Sequence, residues 1–208
     1  MATSKAQPTV VIAAPDFRKI AVEIKGTSPL VINKFSAKAQ AQMEAKQKAG
    51  QAGKTKRSHD AKDFEGLYND CRHISSDGWD GFHAAAIRNA CISACRAAGY
   101  TMTKAKLALF VVADGFDRDD GTPLVRINGE PRMVISQCRN QTGVIDLRPR
   151  AHFMEWSATV TLQWDAGMLT QSDVVNLLAR VGLQVGIGEG RPDSKNSAGL
   201  GYGLFSLV

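Results

Sequence analysis

The last stretch of the chain, GLQVGIGEGRPDSKNSAGLGYGLF, carries Gly186, Gly188, Gly190, Gly199, Gly201 and Gly203, with Arg191, Asp193 and Lys195 between them. Glycine costs conformational entropy, so a run this dense implies positive φ angles or the close approach of another backbone or a ligand. Backbone N–H groups exposed on such a path form anion-binding nests. The chemistry this pattern suits is phosphate binding, with nest positions at Gly188 and Gly201 and cations at Arg191 and Lys195. Two familiar phosphate motifs do not fit. A P-loop needs G-x-x-x-x-G-K-[ST] between a strand and a helix, and a dinucleotide fingerprint needs G-x-G-x-x-G opening a helix. Neither is present, and no cofactor is expected.

Other cations fall in two stretches. KAQAQMEAKQKAGQAGKTKRSHDAKD includes Lys54, Lys56 and Arg57 and is poor in large apolar residues. Its first half suits a helix, and the half after Gly50 reads as flexible. A second stretch holds Arg126, Arg132, Arg139, Arg148 and Arg150, opposed by Glu130 and Asp146. Arg88 adds a cation on the first long helix. The formal net charge of the 208 residues is +6, which favours acidic partners, nucleic acid first. Single strands are held by a basic groove with aromatic platforms. The candidate rings are Trp79, Phe82, His152, Phe153 and Tyr202, whereas Trp156 and Trp164 alternate inward and read as core.

Catalytic signatures are sparse. A general base near neutral pH would be a histidine, and the chain offers His59, His73, His83 and His152. His83, at a helix start, is the best placed, although a histidine bonded to backbone there needs no catalytic role. No paired carboxylates, Ser-His-Asp pattern or H-E-x-x-H motif occurs. DGFDRDDG (114–121) lacks EF-hand spacing and reads as a solvated turn. Glu189 reads as a partner of Arg191. Cys71, Cys91, Cys95 and Cys138 lack zinc-finger spacing and read as reduced thiols, Cys91 and Cys95 within the core. Catalytic and metal sites are therefore not expected. No apolar run of 18 residues occurs, so no membrane span is expected.

The elements that must position these groups follow from periodicity. Ile20, Val22 and Ile24 alternate with polar residues as a half-buried strand. A helix runs to Ala98 from a cap at Asp80, with Gly99 as its stop. AKLALFVVADG (105–115) reads as a second strand, and PLVRINGEPRMVI as a hairpin about Asn128 and Gly129. EWSATVTLQWDAG is a third strand with Ala158, Val160, Leu162 and Trp164 inward. Thr170 and Asp173 form a capping box for a helix whose stripe is Val174, Leu177, Leu178 and Val181. LGYGLFSLV is the last strand. The core order is strand, helix, strand, strand, helix, strand: an α+β, ferredoxin-like (RRM-like) βαββαβ pattern. It is one domain over 1–208, with a basic flap at 34–78 and a thumb-like hairpin insertion at 114–153.

The pieces VEIKGTSPLVIN, GFHAAAIRNACISACR and VGIGEGRP…GLGYGLF, in this order, resemble the RAMP superfamily of CRISPR-associated RNA-binding proteins, over most of residues 18–208. The resemblance implies RNA binding with the glycine loop near the phosphate backbone. For the spine subunits of effector complexes it also implies head-to-tail oligomers or filaments with a thumb between the second and third strands. A compact stand-alone relative carried by a phage or other mobile element fits equally, which leaves RNA or single-stranded DNA as the partner. A cytoplasmic location is expected, the host cytoplasm if phage-encoded. The binding residues so implied are Lys54, Lys56, Arg57, Arg88, Arg139, Arg148, Arg150, Gly188, Arg191, Lys195, Gly201 and Tyr202. Some relatives cleave RNA without metal through a histidine, which makes an endoribonuclease one alternative. A protein-interaction factor acting on a host nucleoprotein complex is another.

Overall fold

A computed structural model of the chain describes residues 12–35, 41, 43–45, 47–48, 62–139, 143, 145–194 and 199–208. Strand β1 (Phe17–Gly26) pairs antiparallel with β10 (Ser157–Asp165), in a register that sets Ile20 opposite Leu162, Val22 opposite Val160 and Ile24 opposite Ala158. The period-2 alternation therefore places Ile20, Val22 and Ile24 on one face with Ala158, Val160, Leu162 and Trp164, while Phe17 lies on the other. Strand β11 (Phe205–Leu207) adds beside β1 and β5 (Leu109–Val112) beside β10, both antiparallel. The sheet order is β11-β1-β10-β5.

Helices α2 (Ala84–Ala98) and α4 (Gln171–Arg180) contribute Ile87, Cys91, Ala94, Cys95, Val174 and Leu178 to the same buried cluster as the sheet face. Small residues on α2 let it sit close to the strands. Thr170 and Asp173 form the expected reciprocal capping box, which satisfies two backbone donors at once. Gly99 ends α2 in the left-handed conformation, with φ 68°. Trp156 and Trp164 are core residues, at 4% and 2% exposure. Among the described residues no helix is long and apolar enough to cross a membrane.

Two further sheets flank this layer. One has the order β2-β9-β8, from β2 (Leu30–Ile32), β8 (Pro131–Arg139) and β9 (Ile145–Phe153). The other has the order β3-β4-β7-β6, from β3 (His73–Ile74), β4 (Asp80–His83), β6 (Gly115–Phe116) and β7 (Pro123–Arg126). Within the expected flap, the described residues include helix α1 (Phe64–Asp70) and β3.

Three local expectations fail, each for a non-local reason. Asp80 does not cap α2. Residues 81–83 pair with 124–126 as part of β4, and His83 caps the helix instead. Residues 105–108 belong to helix α3 (Met102–Ala108), with only Leu109–Val112 extended; a continuous apolar run does not distinguish strand from buried helix. Asn128 and Gly129 do not turn a hairpin. β7 pairs with β4 and β6, β8 pairs with β9, and Asn128 bridges to Ser157 of the central sheet. The hairpin in this insertion is β8–β9.

The glycine loop leaves α4 through a wide turn of π geometry, Val181–Val185, and returns to β11. Ile187 N–H donates to the Gly203 carbonyl at 3.0 Å, Gly203 N–H to Pro29 at 2.8 Å, and Glu189 N–H to Val31 at 2.9 Å. Gly203 has φ 69°, and a Cβ there would overlap the Ile187 backbone; Gly201 has φ 74° with open space around it. Gly203→Ala should therefore cost about 3 kcal/mol, from positive φ and overpacking together. Gly201→Ala should cost about 1 kcal/mol from φ alone. Urea unfolding of both variants checks the contrast; equal losses would contradict this packing.

Candidate nucleic-acid interface

Three adjoining cavities make a track across one side of the molecule. The first, about 330 Å³, lies between α2 and the glycine loop and is lined by His83, Asn89, Ser93, Gly188, Arg191 and Asp193 among others. The second, about 290 Å³, shares His83, Ala86, Gly188 and Arg191 with it and adds Asn33 and His73. The third, about 540 Å³, shares Asn33 and continues to Lys34, Lys62, Arg148 and Arg150.

The loop's charges are arranged so that its acids are occupied. Glu189 pairs with Arg150 of β9, not with Arg191, at 2.6 Å. Asp193 accepts from Arg96 of α2 at 2.6 Å through both oxygens. A hydrogen bond from Ser93, then the bond and charge of Arg96 and the charge of Arg191, hold Asp193 below the usual carboxylate range against an opposing effect of burial. Arg191 donates to the Gly188 carbonyl at 3.1 Å; among the described residues it makes no ion pair within 4 Å, and its charge acts on Asp193 from further away. The N–H groups of Gly188, Gly190, Arg191 and Gly201 likewise find no acceptor among the described residues. Unpaired donors beside a cation are the elements of an anion nest.

A buried ionic cluster borders the track. Asp117, fully buried, accepts from Lys34 Nζ at 2.7 Å and lies 2.8 Å from His73 Nδ1. DGFDRDDG is thus not a solvated turn at Asp117; of its other acids, Asp119 and Asp120 reach Lys34 at 2.9 and 3.7 Å, and Asp114 accepts from the Arg126 N–H. Burial pushes the Asp117 carboxyl up, but bonds from Lys34, the Asp119 N–H and His73 outweigh it and hold it below the usual range. Burial likewise works to lower Lys34, and its bonds to Asp117 and Asp119 raise it overall.

His83 caps α2, its Nδ1 accepting from Ala85 N–H at 3.0 Å. An accepting Nδ1 puts the neutral ring's proton on Nε2, so His83 is a donor to the track and not the general base its position suggested. Burial and the neighbouring His73 lower its pKa, against a smaller opposing pull from Asp120, which keeps that neutral form at pH 7. Sequence patterning missed His73, because its partner Asp117 lies 44 residues away.

The remaining expected residues divide. Arg148 reaches the track, with Nε 3.0 Å from Asp146. Arg150 lines it too but is spent on Glu189 and the Pro149 carbonyl. Arg88 is structural: it donates to the Lys106 and Leu109 carbonyls, at 2.6 and 2.9 Å, and covers the Phe110 ring at 5.1 Å. Tyr202 packs edge-on to His152 at 5.7 Å, outside the three cavities. His152, Phe153 and Phe82 are buried and offer no open platform, and Trp79 packs against Gly81 and Gly115. Lys54, Lys56, Arg57 and Lys195 lie outside the described residues, as does the side chain of Arg139. Cys71, Cys91 and Cys95 are buried thiols, and burial pushes Cys91 up to about 12, which removes it from nucleophilic chemistry at neutral pH. Among the described residues no group of histidines, cysteines and acids is placed to hold a metal.

No family model matches the chain, and no curated protein does. The track is therefore read from its own chemistry.

Lys34→Met should destabilise the fold by about 3–5 kcal/mol at pH 7, because it removes the buried cation opposite Asp117 and leaves that charge to His73 and the Asp119 amide alone. The depressed Asp117 pKa stabilises wild type above its unfolded value near 4, and that contribution is lost as pH falls through the folded value. The raised Lys34 pKa contributes below about pH 10 and is lost above it. In the variant, protonation relieves a buried charge that has lost its cation, so the stability gap should narrow as pH drops toward 4. Urea midpoints from pH 4 to 8 test this; a gap independent of pH would show that the pair is not the cause.

Proposed function

We propose that the chain binds single-stranded nucleic acid along this track, without catalysis and without a cofactor. The observation that carries the reading is the junction at Gly188 and Arg191. There, unpaired amides and a cation with no close ion pair meet beside two acids, Glu189 and Asp193, that Arg150 and Arg96 already pair. Phosphates satisfy both groups; beyond Asn33 the lining is of mixed charge, with Lys62 and Arg148 both paired to Asp146 and Asp70 beside them. Phe35, 60% exposed, lines the third cavity and offers one ring on which a base can stack; the remaining contacts fall on phosphate and sugar. Such contacts position a strand without reading its sequence.

The sheet order β11-β1-β10-β5, with α2 and α4 in the same core, supports a ferredoxin-like core for this protein, and with it the RAMP resemblance. The β8–β9 hairpin falls between β5 and β10 in chain order, where the resemblance expects a thumb. One face of that hairpin carries Met133, Ile135, Ile145 and Leu147, all at least 40% exposed. An apolar face on a projecting hairpin supports assembly between copies along a strand.

Two measurements test the reading. Affinity for an unstructured oligonucleotide should fall steeply with salt, because each neutralised phosphate releases counterions. Arg191→Gln should weaken binding evenly across sequences and flatten the logarithmic salt slope by about 1. Binding that ignores salt would sink the proposal in favour of a protein partner. Met133→Lys combined with Ile135→Lys, on the same face and outside the three cavities, should abolish oligonucleotide-dependent assembly in sedimentation velocity while a single copy still binds. Unchanged assembly would rule out the hairpin face.

A further inference from the structure

Two histidines of opposite hydrogen-bonding character face the same groove. β3 and β4 set His73 opposite Gly81, and His83 is two residues further along β4, on the same side of the pleat. Such diagonal neighbours lie about 7–8 Å apart. His73 Nδ1 is taken by the buried Asp117 carboxylate at 2.8 Å. Lys34 already neutralises that carboxylate, and in the neutral ring Nδ1 therefore carries the proton. Its Nε2 is left as an acceptor, with no protein partner among the described residues, and it is not sealed from solvent. His83, held at Nδ1 by the Ala85 amide, presents the reverse, an Nε2–H donor. Both line the cavity that also holds Gly188 and Arg191.

An acceptor and a donor a few ångströms apart, beside a phosphate nest, suit a group that both donates and accepts next to a phosphate. The ribose 2′-hydroxyl is that group, and it is what distinguishes RNA from DNA. Resting on the binding reading above, we infer that His73 reads the 2′-hydroxyl and makes the track selective for RNA over single-stranded DNA. Asp117 is the positioning residue: it fixes the ring and dedicates Nε2 to accepting.

The test is fluorescence anisotropy at low salt with three labelled 12-mers of uridine: ribose, 2′-O-methyl and 2′-deoxy. The 2′-O-methyl strand keeps an oxygen at the 2′ position but cannot donate, so it separates the hydroxyl proton from sugar shape. Wild type should bind the ribose strand about five- to tenfold more tightly than either analogue, the worth of one hydrogen bond. His73→Asn places an amide near the Nδ1 position, able to donate to Asp117, but lacks the far nitrogen. It should lower ribose affinity to the level of the deoxy strand and leave deoxy binding unchanged. Equal binding of all three strands by wild type would overturn the inference while leaving the binding reading intact. So would a preference that survives in a folded His73→Asn. The comparison of strands on wild type needs no variant, so poor folding of His73→Asn does not protect the inference. Failure of wild type to bind any strand would overturn the binding reading and the inference together.

Discussion

The Asp117 carboxylate is the constraint around which the track is organised. It has no solvent exposure, and its charge is tolerable only because Lys34 and His73 meet it. Lys34 follows β2, His73 opens β3, and Asp117 follows β6. One buried charge therefore ties the strand against which the glycine loop packs to the strands that carry both track histidines. An isolated buried carboxylate would cost several kcal/mol, so these three segments move together or not at all. Lys34 N–H bonding to Cys71, and Arg118 N–H to Ile74, repeat the same connection through the backbone.

The glycine loop solves a different problem. The chain must leave α4, pass against β2 and re-enter the central sheet at β11 beside β1. At Gly188 a Cβ would meet the Val31 carbonyl and the Leu30 side chain, so the path exists only because side chains are missing. The same path leaves amides unpaired on its open side. The loop also bonds to itself, with the Leu200 and Tyr202 N–H groups donating to the Gly190 carbonyl, so the amides of Gly188, Gly190, Arg191 and Gly201 are what remains unpaired among the described residues. The loop's own acids would repel an anion there. Arg150 and Arg96, on β9 and α2, occupy Glu189 and Asp193 and leave Arg191 to face the groove.

What could be read from the sequence was local and periodic. The alternation of Ile20, Val22 and Ile24, the inward set Ala158 to Trp164, the Thr170–Asp173 box and the Gly99 stop each depend on residues a few positions apart, and each appears in the structure. The chain order of the core elements followed from them. What failed depended on distant partners. Residues 81–83 are extended because residues 124–126 lie beside them, which no helical pattern near Ala84 reveals. Asn128 and Gly129 carry a strong turn signature, yet their neighbours separate into two sheets. The Lys34–Asp117 pair spans 83 residues, so the buried acid looked like part of a polar turn. Arg88, Arg148 and Arg150 all counted as cations in the sequence. Carbonyls spend the first and Glu189 the third, and only the assembled fold distinguishes them from Arg191.

This division matters for how the site can work. A groove lined by long, free cations would hold any polyanion, with an entropic cost for each side chain ordered. Here Arg191 is tethered to the Gly188 carbonyl, His83 is fixed by a helix amide, and His73 by a buried carboxylate. The donors and acceptors are in place before a ligand arrives, so little ordering remains to be done on binding. Preorganised groups also discriminate, since a ligand that does not match them must leave a polar atom unpaired in a half-buried cleft. Selectivity by a single hydroxyl then requires no reading of bases, and it remains compatible with a track that accepts any sequence.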